Sequence, residues 1–475
     1  MSDKVQTQVS ADPFGIDNIG RLFIEAILKV EGFGGGRFQP TNFPDLGAAL
    51  YRGADGRQWL LVESPQSMAN RMEKVCWLDG TDDADRVGRY NDECRGIPYI
   101  LAVDSDNKPL TASPLEAHRL ASPYVAKSPL QNTGADKGKS LLEVLKTKFT
   151  LRENRLVPWK QVASSLLDID PGCLLHGIWF NAPELAGGKV RLTRVLSGYI
   201  EASEPSPANY GFQKRDDVLW ATDKEAGQSA SEGFGSVIGP KQHFTSPQVN
   251  ACFQVDIDRL RNYGLSAERV RALTAWAIYK IRRVLVDGQA GVGGLRTECK
   301  FTCESVNSYY IESKTGKKVD GYSLPDLGDT LIDAFRALRK LKQDNTPDED
   351  VAITKVRWVP NIEGKVEVPE GLRESIILAP VFSSEKAEVA EITPKATRKN
   401  PNPKPKLYLI LKGEWTAEEK GTLRELNPSG DKGSNEAKRA KLVEDAVSAY
   451  EEQWTAKAQG GKAADDDDDA GEASA

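Results

Sequence analysis

From residue 21 to 30 apolar side chains alternate with polar ones (Leu22, Ile24, Ala26, Leu28, Val30), the period of two that a strand with one buried face requires. The pattern runs straight into Gly34-Gly35-Gly36-Arg37. Residues 47–52 and 58–63 read as two strands around the turn Gly53-Ala54-Asp55-Gly56. Residues 64–77 predict a short helix, since Ser64 or Ser67 can cap it and Met68, Met72 and Val75 fall on one side. A further strand is expected at 97–103, helices at 140–148 and 159–167, and strands at 173–181 and 190–200 with Gly187-Gly188 between them.

Between 202 and 247 the periodicity fades and Ser, Gly, Pro and Lys accumulate. So long an irregular stretch inside a domain is more often functional than filler. Residues 250–260 are strand-like, and Ser266 caps a helix with Val270, Leu273, Ala277, Ile281 and Val284 on one face. That helix ends at the glycine loop Gly288-Gln289-Ala290-Gly291-Val292-Gly293-Gly294, followed by a strand at 295–306. A helix is expected at 326–342 and a strand at 351–359. Strand, helix, glycine loop and strand in this order predict an α+β sheet with helices on one face.

Beyond about residue 383, Pro394, Pro401, Pro403 and Pro405 alternate with Lys395, Arg398, Lys399, Lys404 and Lys406, the composition of an extended basic linker. The expected organisation is an N-terminal extension (1–20), a main domain (21–382), the basic Pro-rich linker (383–406), a strand–helix appendage (407–458) and a disordered acidic tail (459–475).

Composition narrows the class. The chain has 475 residues, 39% apolar and 28% charged, which is the balance of a globular protein of two or three domains, or of one domain enlarged by insertions. No run of about 18 apolar residues occurs, and the opening residues lack the basic-then-apolar order of a secretory signal, so no membrane association and a cytoplasmic location are expected. The net charge of −6 comes from Asp465 to Asp469 and Glu472; without them acids and bases balance at 63 each. A neutral body binds nucleic acid only if its basic residues gather on one surface. The six cysteines are scattered, and the pair Cys299 and Cys303 has neither a second pair nor a nearby His, so neither a zinc site nor a disulfide scaffold is expected, and no cofactor.

Several motifs compete for a role. Thr133-Gly134-Ala135-Asp136-Lys137-Gly138-Lys139-Ser140 is one glycine short of a phosphate-binding P-loop and follows no buried strand, so a surface loop with a helix start is the better reading. The glycine loop at 288–294 is most simply a helix stop. Its sharper reading is a close approach to a phosphate backbone, neutralised by Arg296 and by Lys280, Arg282 and Arg283. Glycines followed by arginine recur at Gly34-Gly35-Gly36-Arg37-Phe38-Gln39, where an aromatic beside Arg suits stacking on single-stranded nucleic acid. Of the three histidines, His176 lies in an apolar run and reads as a core residue. His118 and His243 are candidates for acid and base of a metal-independent ribonuclease, without a spacing that selects this role.

Three long strings carry a family resemblance: Gly36-Arg37-Phe38-Gln39-Pro40-Thr41-Asn42-Phe43-Pro44-Asp45-Leu46-Gly47, Leu61-Val62-Glu63-Ser64-Pro65-Gln66-Ser67-Met68-Ala69-Asn70-Arg71, and Leu115-Glu116-Ala117-His118-Arg119-Leu120-Ala121-Ser122-Pro123-Tyr124. With Leu174-Leu175-His176-Gly177, residues 191–202 and Gly294-Leu295-Arg296-Thr297, the chain resembles, over about residues 20 to 305, the RAMP-superfamily backbone subunits of CRISPR effector complexes. Within them it is most similar to the Cas-seven proteins of type I-U, also called I-G.

The resemblance implies a modified RRM or ferredoxin-like (RAMP) palm with large inserted finger and thumb elements, in an RNA-binding domain over 21–382 whose segment 202–247 is the candidate thumb or finger. It implies a non-catalytic subunit that oligomerises along CRISPR RNA in a type I Cascade complex, with further copies of itself, the other Cascade subunits and, through the guide, target DNA as partners. The alternative is a CRISPR RNA-processing endoribonuclease using His118 or His243. Related type III subunits cleave target RNA with a loop aspartate, an activity not carried onto Asp45. A guide must keep its base edges free, so the protein should grip phosphates and riboses. The RNA-contacting residues expected on this basis are Gly35, Gly36, Arg37, Phe38 and Gln39 of the first loop; Ser64, Gln66, Ser67, Asn70 and Arg71 of the first helix; His118 and Arg119; Arg191 and Arg194; Lys214, Arg215, Lys241 and His243 of the long segment; and Gly291, Gly293, Gly294, Arg296 and Thr297 of the second loop.

Overall fold

A computed structural model describes residues 12–31, 35–43, 47–78, 88–104, 107–131, 135–152, 155–182, 185, 189–208, 210–214, 237–287, 301–342, 344, 346–358, 363–368, 387–392, 406–412, 420–423 and 435–458. Its contacts divide the chain into two units, one up to Trp358 and one from Val359.

In the first unit, β1 (Ile19–Val30) is the strand that the period-two pattern predicts: Leu22, Ile24, Ala26 and Leu28 are buried while Arg21, Glu25 and Lys29 face outward. β2 (Leu50–Arg52) and β3 (Gln58–Glu63) follow, then α1 (Pro65–Lys74), where the Ser64 hydroxyl accepts from the Ser67 N–H at 3.3 Å. β4 (Tyr99–Val103) and β5 (Pro109–Ala112) lead to α2 (Leu141–Lys148). Ser140 caps α2 reciprocally, its hydroxyl accepting from the Glu143 N–H at 3.3 Å while the Glu143 carboxylate accepts from the Ser140 N–H at 2.7 Å. That carboxylate occupies the end of α2 where a P-loop would hold phosphate. Ser140→Ala is expected to cost about 1 kcal/mol, seen as a lower urea midpoint at unchanged slope.

After α3 (Trp159–Ile169) the chain departs from its expected course. The strand expected over 173–181 is two elements, α4 (Gly172–His176) and β6 (Ile178–Asn181). Gly177 joins them at φ 78° and ψ 163°, a conformation essentially reserved for glycine, and this bend separates helix from strand. The apolar run at 190–200 likewise divides into β7 (Lys189–Leu192), paired antiparallel with β6, and β8 (Leu196–Ser203), which joins the main sheet. The segment expected to be irregular contains a ribbon, β9 (Tyr210–Lys214) against β10 (Val237–Lys241), with Tyr210 opposite Lys241.

β11 (Gln248–Asp256) stops short of the predicted strand end because the Asp256 carboxylate accepts from the Arg259 N–H at 3.1 Å and starts α5 (Ile257–Asn262). α6 (Ala267–Asp287), β12 (Phe301–Glu312) and β13 (Lys318–Asp320) follow. The helix expected at 326–342 breaks into α7 (Asp329–Ala334) and the 3-10 turn Arg336–Leu338; β14 (Ile353–Arg357) ends the unit.

The main sheet is antiparallel throughout, in the order β13-β12-β1-β11-β8-β3-β2. α1 and α6 pack together, α1 against β8 and α6 against β11 and β12, and residues 272–280 of α6 are buried without interruption. The architecture is α+β. The opposite face of the sheet is half open: Phe23 stacks on Tyr309 at 4.7 Å beside a cavity of about 460 Å3 lined also by Glu25, Tyr199, Cys252 and Gln254. A smaller sheet, β14-β4-β5, pairs β14 parallel to β4.

In the second unit, β15 (Glu363–Glu367), β16 (Ala387–Ile392) and β17 (Lys406–Lys412) form an antiparallel sheet with β17 in the centre, and α8 (Asn435–Ala458) covers it. Its core comprises Val368, Leu407, Leu409, Leu411, Leu442, Val443, Ala446 and Val447. Residues 387–392, within the stretch expected to be linker, are thus a strand, paired from Ala387 opposite Leu411 to Ile392 opposite Lys406. The prolines at 394–405 and the acidic run lie outside the described residues. Among the described residues the five cysteines are free, no group of acids, histidines and cysteines has the form of a metal site, and no helix is long and apolar enough to cross a membrane.

Candidate nucleic-acid interface

The bend at Gly177 opens a cleft of about 510 Å3 between α1, the 117–119 turn and the β6–β7 hairpin. Of the expected site residues, Gln66, His118, Arg119, Arg191 and Arg194 line it. His118 and Arg191 are exposed, whereas Arg194 is half-buried and its guanidinium donates to the Gln66 side-chain oxygen. Gln66 is itself steadied by donating to Asn70 Oδ1 at 3.2 Å. Burial, then the charge of Arg119, holds the Arg194 pKa below the usual guanidinium range. Two further residues were missed by sequence reasoning. Trp179 is 55% exposed at the cleft mouth and stands directly across the hairpin from Arg191. Its signal was the alternation Ile178, Trp179, Phe180, which puts a tryptophan on the outer side of a strand. His176, at the end of α4, forms part of the cleft floor.

Behind the floor lies a buried ionic cluster. Arg119 donates to Glu73 twice, Nε to Oε1 at 3.1 Å and Nη2 to Oε2 at 2.7 Å. Lys280 Nζ lies 2.9 Å from His176 Nε2 and 4.0 Å from the centre of the Trp276 ring. Asp170, also buried, accepts from the Gly172 N–H at 2.9 Å. Burial, then the charges of Lys280, Arg119 and Arg194, holds the His176 pKa well below the usual imidazole range, so its ring is neutral. The reading of His176 as a core residue agrees with its burial, although it also faces the cleft.

The first loop is a separate exposed feature. Gly35, Gly36 and Arg37 are exposed and Gln39 is half-buried, with Gly36 at φ 63°. Phe38 corrects the expectation of a stacking aromatic: it is fully buried, exchanges backbone hydrogen bonds with Phe244 at 2.9 Å, and packs its ring 5.7 Å from Phe301. A base cannot reach it. Its neighbour His243 is buried, with its carbonyl accepting from the Ala208 N–H at 2.8 Å, and so is also closed to a strand of RNA. Arg119 is spent on Glu73, and Arg71 pairs with Glu63 at 3.2 Å. Ser64 and Ser67 are engaged in the α1 cap, and Asn70 is exposed. Lys214 and Lys241 lie at opposite ends of the ribbon, Lys241 opposite Tyr210 at the base and Lys214 opposite Val237 at the far end. Arg215, Gly34, Asp45 and the whole second loop, including Gly291, Gly293, Gly294, Arg296 and Thr297, lie outside the described residues.

A path of hydrogen bonds connects loop and cleft. The chain leaving Phe38 bonds to β3 through the Thr41 N–H and the Val62 carbonyl at 2.8 Å; β3 leads into α1, and Gln66 of α1 meets Arg194. All these cleft residues fall inside one stretch of sequence. A family model described as "CRISPR-associated protein GSU0053" matches residues 22–206. Over residues 22–206 the chain is similar to this CRISPR-associated family.

The matched region contains the first loop, α1, the cleft and β8. A solved chain described as "CRISPR RNA-guided surveillance complex, pre-nicking" is similar at 10% identity and a TM-score of 0.30, over 71% of this chain and 96% of that one, a score too low to define a shared fold. No curated protein matches the chain.

Proposed function

We propose that this protein is a CRISPR RNA-binding subunit of a Cascade-type complex, which grips the guide by its phosphates and leaves its bases to pair with target DNA. The observation that carries this reading is the cleft: within the region similar to a CRISPR-associated family it sets Arg191, Arg194 and His118 around an exposed tryptophan. Cations beside an aromatic ring are what single-stranded nucleic acid needs, phosphates on the guanidinium groups and a base on the ring. Strands β1, β8, β11 and β12, in the order β12-β1-β11-β8 with helices α1 and α6 on one face, support a ferredoxin-like palm. We assign the RNA-binding function, expected over 21–382, to its part in the first unit, up to Trp358, the β9–β10 ribbon to the inserted finger or thumb, and oligomerisation along the guide to copies meeting through such insertions.

The ribonuclease alternative is not favoured. His118 lines the cleft, but His243 is buried beside Phe244 and does not line it, so the two do not form an acid–base pair there.

To test the proposal, RNA affinity is measured against salt for wild type, Arg37→Ala and the double variant Arg191→Ala/Arg194→Ala. Each lost phosphate contact should make the log–log slope shallower by about 0.7, so the double variant should lose about 1.4, for all guide sequences alike. Unchanged affinity and slope in every variant would sink the assignment. So would site-specific cleavage of a repeat RNA that His118→Ala abolishes.

A further inference from the structure

The cleft floor holds a hydrogen-bond donor that the folded chain does not use. Lys280 has only donors on its ammonium group, so His176 Nε2 must accept from it, and the proton of the neutral ring sits on Nδ1. His176 is 2% exposed, lines the cleft, and its Nδ1 has no hydrogen-bond partner. A buried N–H without an acceptor is unfavourable, and an acceptor entering the cleft removes that penalty. Behind the floor the buried acids Glu73 and Asp170 are matched in number by the buried bases Arg119 and Lys280. The positive charge of Arg191 and Arg194 is therefore left for a ligand. A phosphodiester carries one negative charge, whereas a phosphomonoester carries about 1.5 to 2 near neutral pH and has three acceptor oxygens. The monoester is the better match in both charge and acceptor count.

We propose that the cleft receives a terminal nucleotide, with its phosphomonoester among Arg191, Arg194 and the His176 Nδ1–H and its base against Trp179. This rests on the reading of the cleft as an RNA contact and adds a preference for a strand end over an internal linkage. The same chemistry is offered by a free nucleoside monophosphate, by a 5′-phosphate end and by a 3′-phosphate end.

The test compares four probes on the full chain: adenosine monophosphate, and one eight-nucleotide RNA ending in 5′-phosphate, in 3′-phosphate, or in hydroxyls at both ends. At least one phosphate-ended RNA is expected to bind about tenfold more tightly than the hydroxyl-ended RNA, the size of one charge-assisted hydrogen bond. Arg191→Ala and Trp179→Ala change exposed side chains, so both should fold; Arg191→Ala should bring that ratio close to one, and Trp179→Ala should weaken the mononucleotide. A mononucleotide that binds while neither phosphate end is preferred would assign the site to free nucleotides. Equal binding of all three RNAs with no mononucleotide binding overturns the inference and leaves RNA binding intact. Failure of every RNA to bind overturns the RNA reading itself.

Discussion

Glu73→Ala should lower the stability of the first unit by roughly 3–5 kcal/mol, because it leaves the Arg119 guanidinium buried without its counter-charge. The two side chains are only 6% and 5% exposed, so the stranded charge would be largely withheld from water. Arg119 also holds a left-handed backbone, φ 48°, which an arginine adopts at a cost and which the two-point bond to Glu73 fixes in place. Urea unfolding of Glu73→Ala and of Glu73→Leu/Arg119→Met separates the explanations. The single change should be severe, and the apolar pair should recover most of the loss, since removing both charges leaves nothing unpaired. A single variant that unfolds at the wild-type midpoint would show that the pair contributes nothing.

The second large effect is expected at Gly177. A Cβ built there would lie 2.8 Å from the Leu192 carbonyl oxygen and 3.0 Å from the Arg194 nitrogen, all backbone atoms that cannot swing aside. Gly177→Ala should therefore cost more than the ~1–3 kcal/mol of its backbone conformation alone, and should weaken RNA binding as Arg194 is displaced. Gly56 is the control. It has the same φ of 78°, but nothing lies within 4 Å of its Cβ position, so Gly56→Ala should show the conformational cost without the clash and leave RNA binding unchanged. Equal losses in the two variants would mean that crowding at Gly177 is relieved without disturbing the hairpin.

These sites show what the sequence could and could not disclose. Period-two burial in β1 and the Ser64 cap of α1 are local, and both were legible from neighbouring residues. The division of the runs at 173–181 and 190–200 was not, because their apolar character is compatible with one strand or two; only the packing of Gly177 against the Leu192–Arg194 backbone decides it. Residue type likewise named Arg119 and Arg194 alike as phosphate ligands. Which of them meets a buried carboxylate depends on Glu73, 46 positions before Arg119, and that pairing leaves no trace in spacing. Phe38 shows the same limit, since an aromatic beside an exposed arginine suggested stacking until Phe244 and Phe301 closed over it.

The strand order also bears on synthesis. β11 lies between β1 and β8, and β12 closes the other side of β1, so both neighbours of the first strand come from more than 200 residues later, with Arg21 opposite Asp256 and Ile311. The family-matched stretch at 22–206 holds β1 and β8 but not the strand that joins them. A nascent chain carrying that stretch alone has β1 with both edges bare and no partner to pair with. Such edges invite association with other chains, and pairing at this sequence separation is slow. The main sheet therefore closes only after β11 and β12 have left the ribosome, and the matched stretch by itself holds the β8-β3-β2 pairings but leaves β1 without a partner.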